Sequence, residues 1–87
     1  MVEQLRWNPL PVAANSTVQI TSSRIGGFLC TATGTLTLVR NNEDGTSTTL
    51  VNAMAVTAGQ WTFIPFYLGR NGGSVTTATN AAGIVGV

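Results

Sequence analysis

Short runs of alternating apolar and polar residues, cut by turn signals at intervals of about 8–12 residues, constrain this chain more than any other feature. Thr17-Val18-Gln19-Ile20-Thr21 alternates cleanly, and Ser22-Ser23-Arg24 reads as a turn. Ile25 to Ala32 is a second strand, weakened by Gly26-Gly27, a pair that marks a bulge or a close backbone approach. After Thr33-Gly34, the stretch Thr35 to Arg40 puts Leu36, Leu38 and Arg40 on one face and Thr35, Thr37 and Val39 on the other. Asn41-Asn42-Glu43-Asp44-Gly45-Thr46 is the strongest turn, because Asn and Asp tolerate left-handed backbone and Asp-Gly is a hairpin signature. Thr48 to Val56 returns as a strand; its centre, Leu50 to Val56, can also be read as a short helix, and the threonines on either side favour the strand. Ala58-Gly59-Gln60 turns the chain again. In Trp61 to Leu68, period two puts Trp61, Phe63, Pro65 and Tyr67 on one face and Thr62, Ile64, Phe66 and Leu68 on the other. Pro65 cannot donate to a ladder, so this strand is an edge or is bulged. After the flexible Gly69–Gly73 loop, Ser74–Thr79 and Gly83–Val87 read as a final hairpin around Asn80-Ala81-Ala82. No long helical period competes. The fold class is all-β: a small antiparallel β-sandwich or barrel of about seven strands.

The first sixteen residues stand apart. Pro9 and Pro11 bias Asn8 and Leu10 towards extended backbone. Leu5, Trp7, Leu10 and Val12 show no periodicity that would bury them in a sheet of their own. Residues 1–16 therefore read as an extended N-terminal arm and 17–87 as the sandwich body. Leu5, Arg6, Trp7 and Leu10 are the arm's candidate interface residues, with Trp7 as anchor and Arg6 as a donor to a partner carboxylate. The other reading folds the arm back on its own body to close the sandwich.

Composition narrows function. Only 8% of residues are charged, against about 25% in typical soluble domains. They are Glu3, Arg6, Arg24, Arg40, Glu43, Asp44 and Arg70; Lys and His are absent. A near-neutral, Thr-rich surface implies that much of it touches other protein, since charge is what keeps small domains apart. A monomer relying on neutral polar groups is the plain alternative. A net charge of +1 gives no footprint for nucleic acid or an anionic membrane. The single cysteine, Cys30, excludes an intrachain disulfide and a cysteine-based zinc site, and its apolar neighbours suit a small buried hydrophobe. No secretory signal and no membrane-spanning run is visible, so the chain is expected to be made in the cytoplasm and to stay soluble until it assembles.

The chemistry of catalysis is poorly represented. Without His the commonest acid–base group is missing, and without Lys there is no Schiff-base chemistry. Of the three carboxylates, Glu43 and Asp44 are turn neighbours pointing apart, and Glu3 lies in the arm. The reading is that the chain is not an enzyme and uses no cofactor or metal. The Asn41–Gly45 run resembles part of a calcium loop, but no bidentate Glu follows in Thr48 to Asn52. If Ile64, Phe66 and Leu68 face the core, then Trp61, Phe63 and Tyr67 face outwards as an interaction patch. Otherwise the chain's own arm covers them. Because sugars also bind on Trp and Tyr platforms, a carbohydrate- or receptor-binding module is the competing class.

Several stretches resemble a known group: Gly26-Gly27-Phe28-Leu29-Cys30, Thr33-Gly34-Thr35-Leu36, Val56-Thr57-Ala58-Gly59, Ile64-Pro65-Phe66-Tyr67-Leu68-Gly69 and Ala82-Gly83-Ile84-Val85-Gly86-Val87. Together they are similar to short capsid decoration (cement) or head-fibre proteins of tailed bacteriophages, over residues 25–87 and not over the arm. The resemblance implies an all-β body, a homo-oligomer with a trimer favoured, and a place on the capsid exterior of the virion after synthesis in the host cytoplasm. The partner would be the major capsid protein. It carries no catalytic residues.

Overall fold

The computed structural model describes residues 8–87. They form eight strands and no helix: β1 Pro9–Val12, β2 Thr17–Ile20, β3 Arg24–Ala32, β4 Gly34–Asn41, β5 Ser47–Val56, β6 Trp61–Tyr67, β7 Gly73–Ala78 and β8 Ala82–Gly86. Two antiparallel four-stranded sheets result, sheet A in the order β1-β8-β3-β6 and sheet B in the order β2-β7-β4-β5.

This order has a simple origin. The pairs β1·β8, β2·β7, β3·β6 and β4·β5 are all antiparallel, so the chain is one long hairpin whose tip is the Asn42–Thr46 turn. Rolling that hairpin up brings β3 against β8 and β4 against β7, which completes the sheets. The result is an eight-stranded jelly roll. At the tip, Asn42 N–H donates to Thr46 O at 2.9 Å, and Gly45 takes a φ of 88°. Asp44 Oδ1 accepts from the Thr46 hydroxyl and the Thr46 N–H, at 2.6 and 3.0 Å. The strongest turn signal in the sequence thus sits at the pivot of the whole topology.

The core lies between the sheets. Phe28, Cys30 and Val85 of sheet A and Ile20, Leu36, Leu38 and Val75 of sheet B are at most 2% exposed. Alternation accounts for them: Leu36 and Leu38 point inward while Thr35 and Thr37 do not, and Arg40, next on the inner row, is half-buried at the sandwich's end. Cys30 is buried, and its Sγ donates to Ala32 O at 3.0 Å.

The described part of the first sixteen residues is built into the body. Residues 9–12 make the eighth strand, paired with β8 as an edge of sheet A, and Val12 is 3% exposed. The two prolines fit because an edge strand leaves half its N–H groups without ladder partners. Residues 13–16 are tied down by Thr77, the one buried polar side chain among the described residues: its hydroxyl donates to Ala13 O at 2.7 Å and accepts from Ser16 N–H at 3.1 Å.

Two expectations change. Residues 74–79 and 83–87 do not form a hairpin: β7 belongs to sheet B and β8 to sheet A, and the intervening turn crosses between sheets. It holds Thr79 and Asn80 at positive φ and buries Ala81 completely. The strand reading of Leu50 to Val56, favoured by the threonines on either side, holds. Its blurred pattern comes from two register slips against β4, one with Ala53 at φ 49°, the other beside Leu50. Both Leu50 and Val51 consequently pack against the core. The second change is at Phe66, which is 37% exposed rather than buried beside Ile64 and Leu68. Gly27 stands opposite Phe63 but Ile25 opposite Phe66, so β6 carries one extra residue at Ile64–Pro65, and the alternation falls out of phase there.

Candidate interaction surface

The outer face of sheet A is the most unusual surface among the described residues. Directly opposed residues share a face, so the register assembles it strand by strand. One row across the sheet reads Pro11, Ile84, Leu29, Trp61, and the next Pro9, Gly86, Gly27, Phe63. Not one of these eight carries a polar group except the indole N–H of Trp61. Leu29 is 39% exposed, Trp61 46% and Phe63 65%; Pro9 and Pro11 are exposed and Ile84 is half-buried.

The centre of the face is shaped by a missing side chain. A Cβ on Gly27 would lie 2.4 Å from Trp61 Cζ2 and 2.6 Å from Thr62 O. The indole therefore lies down over the Gly27 backbone, and Phe63, opposite Gly27, projects alone. Trp61 becomes a flat, supported platform and Phe63 an isolated projection. β6 is also a free sheet edge, which a bulge and Pro65 protect against open-ended strand addition.

The residues singled out in the sequence fall in different places. Trp61 and Phe63 share this face. Tyr67, 72% exposed, lies beyond the bulge opposite Arg24 and out of phase with them. Leu10 is half-buried and packs against the core. Leu5, Arg6 and Trp7 lie outside the described residues. Pro9, Pro11, Leu29 and Ile84 were missed; only the inward Phe28 and Cys30 flanking Leu29 hinted at it, while the two prolines and Ile84 join the face through pairings the sequence does not encode locally.

At one end of the sandwich the β4–β5 turn meets the β6–β7 loop. Asn41 N–H donates to Gly72 O at 3.0 Å, and Asn41 Nδ2 to Asn71 O at 3.2 Å. Arg70 Nε stands 3.5 Å from Glu43 Oε1, both side chains being largely in solvent, so this pair contributes little to stability. The same turn holds a carboxyl with a shifted pKa. Asp44 is lowered from its ordinary value of 3.8, first by the Thr46 hydroxyl and then by the Thr46 backbone N–H, since both stabilise the carboxylate. Among the described residues no cluster of three His, Cys, Asp or Glu side chains could hold a metal ion. Comparison of the chain with family models, curated proteins and solved structures finds no match.

Proposed function

We propose that this chain is a structural virion protein that binds the outside of a phage capsid as a decoration protein and stabilises the shell. The observation that carries the reading is the outer face of sheet A, where Pro9, Pro11, Leu29, Trp61 and Phe63 are exposed around half-buried Ile84 on a chain with only 8% charged residues. A contiguous apolar patch of this kind marks an interaction site, and its aromatic residues are the types that dominate interface energetics. The jelly roll adds an analogy of fold, being common in viral shell proteins; it is shared with lectins and enzymes and decides nothing alone.

In this reading the decoration protein assembles as a homo-oligomer, a trimer by the resemblance described above, and seats on the major capsid protein from the exterior. Burial of apolar area at each contact, at about 25 cal/mol per Å², resists separation of neighbouring shell subunits. No catalytic group takes part. The test is the mass in solution, alone and with purified capsids that lack this protein. A trimer that co-sediments with capsids supports the reading. A monomer that ignores capsids and is retained on a glycan array replaces it with the carbohydrate-binding class.

A further inference from the structure

The hollow where the β4–β5 turn meets the β6–β7 loop is separate from the sheet A face and has the opposite character. Its lining includes Arg40, Asn41, Glu43, Tyr67, Arg70 and Asn71, and it measures about 180 Å³. Three of the seven charged residues in the whole chain thus converge on one place, beside the most exposed aromatic side chain among the described residues.

The walls are pre-organised. The two loops are joined by the Asn41–Gly72 and Asn41–Asn71 hydrogen bonds and by the Arg70–Glu43 pair. The loop after β6 is anchored by fully buried Leu68, whose N–H donates to Ser23 O at 2.6 Å. A site held by backbone contacts loses little entropy when a ligand arrives.

We propose that this hollow binds an acidic saccharide, with a sugar ring on Tyr67 and its carboxylate on Arg40. Arg40 is half-buried, and its Nε is occupied by Asn42 Oδ1 at 3.3 Å, while its two terminal amino groups hold no hydrogen bond among the described residues. A fixed guanidinium with free amino groups is the donor geometry that a carboxylate accepts best. The lining guanidiniums, Arg40 and Arg70, outnumber the single lining carboxylate, Glu43, two to one. Asp44 is not among the residues that line the hollow. Tyr67 supplies what a bare anion would not need: an exposed ring for the C–H face of a pyranose. The amides of Asn41 and Asn71 add hydroxyl partners. A volume well below the roughly 300–1,000 Å³ of small-molecule pockets suits one ring of an extended ligand rather than an engulfed compound.

The site is tested by nuclear magnetic resonance titration of the full chain with a sialyl-terminated trisaccharide, its neutral galactose-terminated counterpart, sodium acetate and inorganic phosphate. The acidic saccharide should bind with millimolar affinity and shift the amides of residues 40–42 and 67–71. Tyr67→Ala, at an exposed position, should weaken it about fivefold or more, and Arg40→Gln should remove the preference for the acidic over the neutral sugar. Should Arg40→Gln fail to fold, raising sodium chloride on the unaltered chain answers the same question: binding of the acidic sugar weakens and that of the neutral sugar does not. Equal binding of the neutral sugar, equal shifts from acetate or phosphate, shifts confined to other residues, or no binding at all would each overturn the proposal.

Discussion

Phe28→Ala is the perturbation that tests the sandwich most severely. Phe28 is completely buried on the inner face of β3, opposite Val85 and Thr62. Its ring occupies space that the neighbouring strand gives up: a Cβ on Gly83 would sit 2.6 Å from Phe28 Cζ. Truncation to Ala removes the ring and leaves a cavity, because the flanking strands are held by ladders on both sides and cannot collapse into it. Such changes cost about 3–5 kcal/mol. The whole domain, at roughly 0.05–0.15 kcal/mol per residue, has only about 4–13 kcal/mol to lose. Urea unfolding followed by circular dichroism is the assay; with a slope of about 1 kcal/mol per M for a small domain, the midpoint should fall by roughly 3–5 M or the variant should be unfolded. Adding Gly83→Ala should not restore stability even though the ring is gone, since the new Cβ still meets Leu29 O at 2.2 Å. A loss below about 1 kcal/mol for Phe28→Ala, within the range of an ordinary surface change, would refute the placement of this ring at the centre of the core.

Gly45→Ala should cost about 1–2 kcal/mol, because the position has φ 88° and no atoms nearby that a methyl group would strike, which leaves backbone strain as the only cause; thermal melts compare the two chains. The Asp44 carboxyl should titrate below 3.8 in an NMR pH series, and Thr46→Val, which removes the dominant hydroxyl donor, should move it upward. A depressed folded-state pKa contributes stability that is present above the unfolded value and lost as pH falls through the folded one, so the turn should weaken only in strong acid. Deleting residues 2–12 removes β1 with buried Val12 and uncovers an edge of β8, so the cooperative melt should broaden or vanish; an intact melt would show that β1 is not part of the folding unit.

Where the sequence was legible, the physics was local. Alternation located β2 to β8 because each strand has one face in the core, and Asp44-Gly45 located the hairpin tip because few other residues tolerate that backbone. What failed was long-range or out of phase. β1 was hidden because Pro9 and Pro11 carry no strand signal and its four residues complete one alternation only. The turn at Thr79–Asn80 looks the same in sequence whether the chain doubles back within a sheet or crosses to the other one. Bulges in β5 and β6 broke the period of two, which hid Phe66's exposure and split Tyr67 from Trp61 and Phe63. The sheet A face was half visible: its aromatic edge could be read along one strand, but Pro9, Pro11, Leu29 and Ile84 join it only through pairing. The hollow depends on two loops about thirty residues apart meeting, which alternation cannot indicate.

In the proposed function, the outer face of sheet A is what docks on the capsid. Co-sedimentation of the unaltered chain and of Phe63→Asp with capsids lacking the protein tests it most directly. Phe63 is 65% exposed, so the substitution should leave the β-type circular dichroism spectrum intact. As an interface anchor it should contribute about 2 kcal/mol or more, so the unaltered chain should bind saturably and Phe63→Asp should lose at least roughly thirtyfold. Equal binding by the two chains would contradict docking by this face.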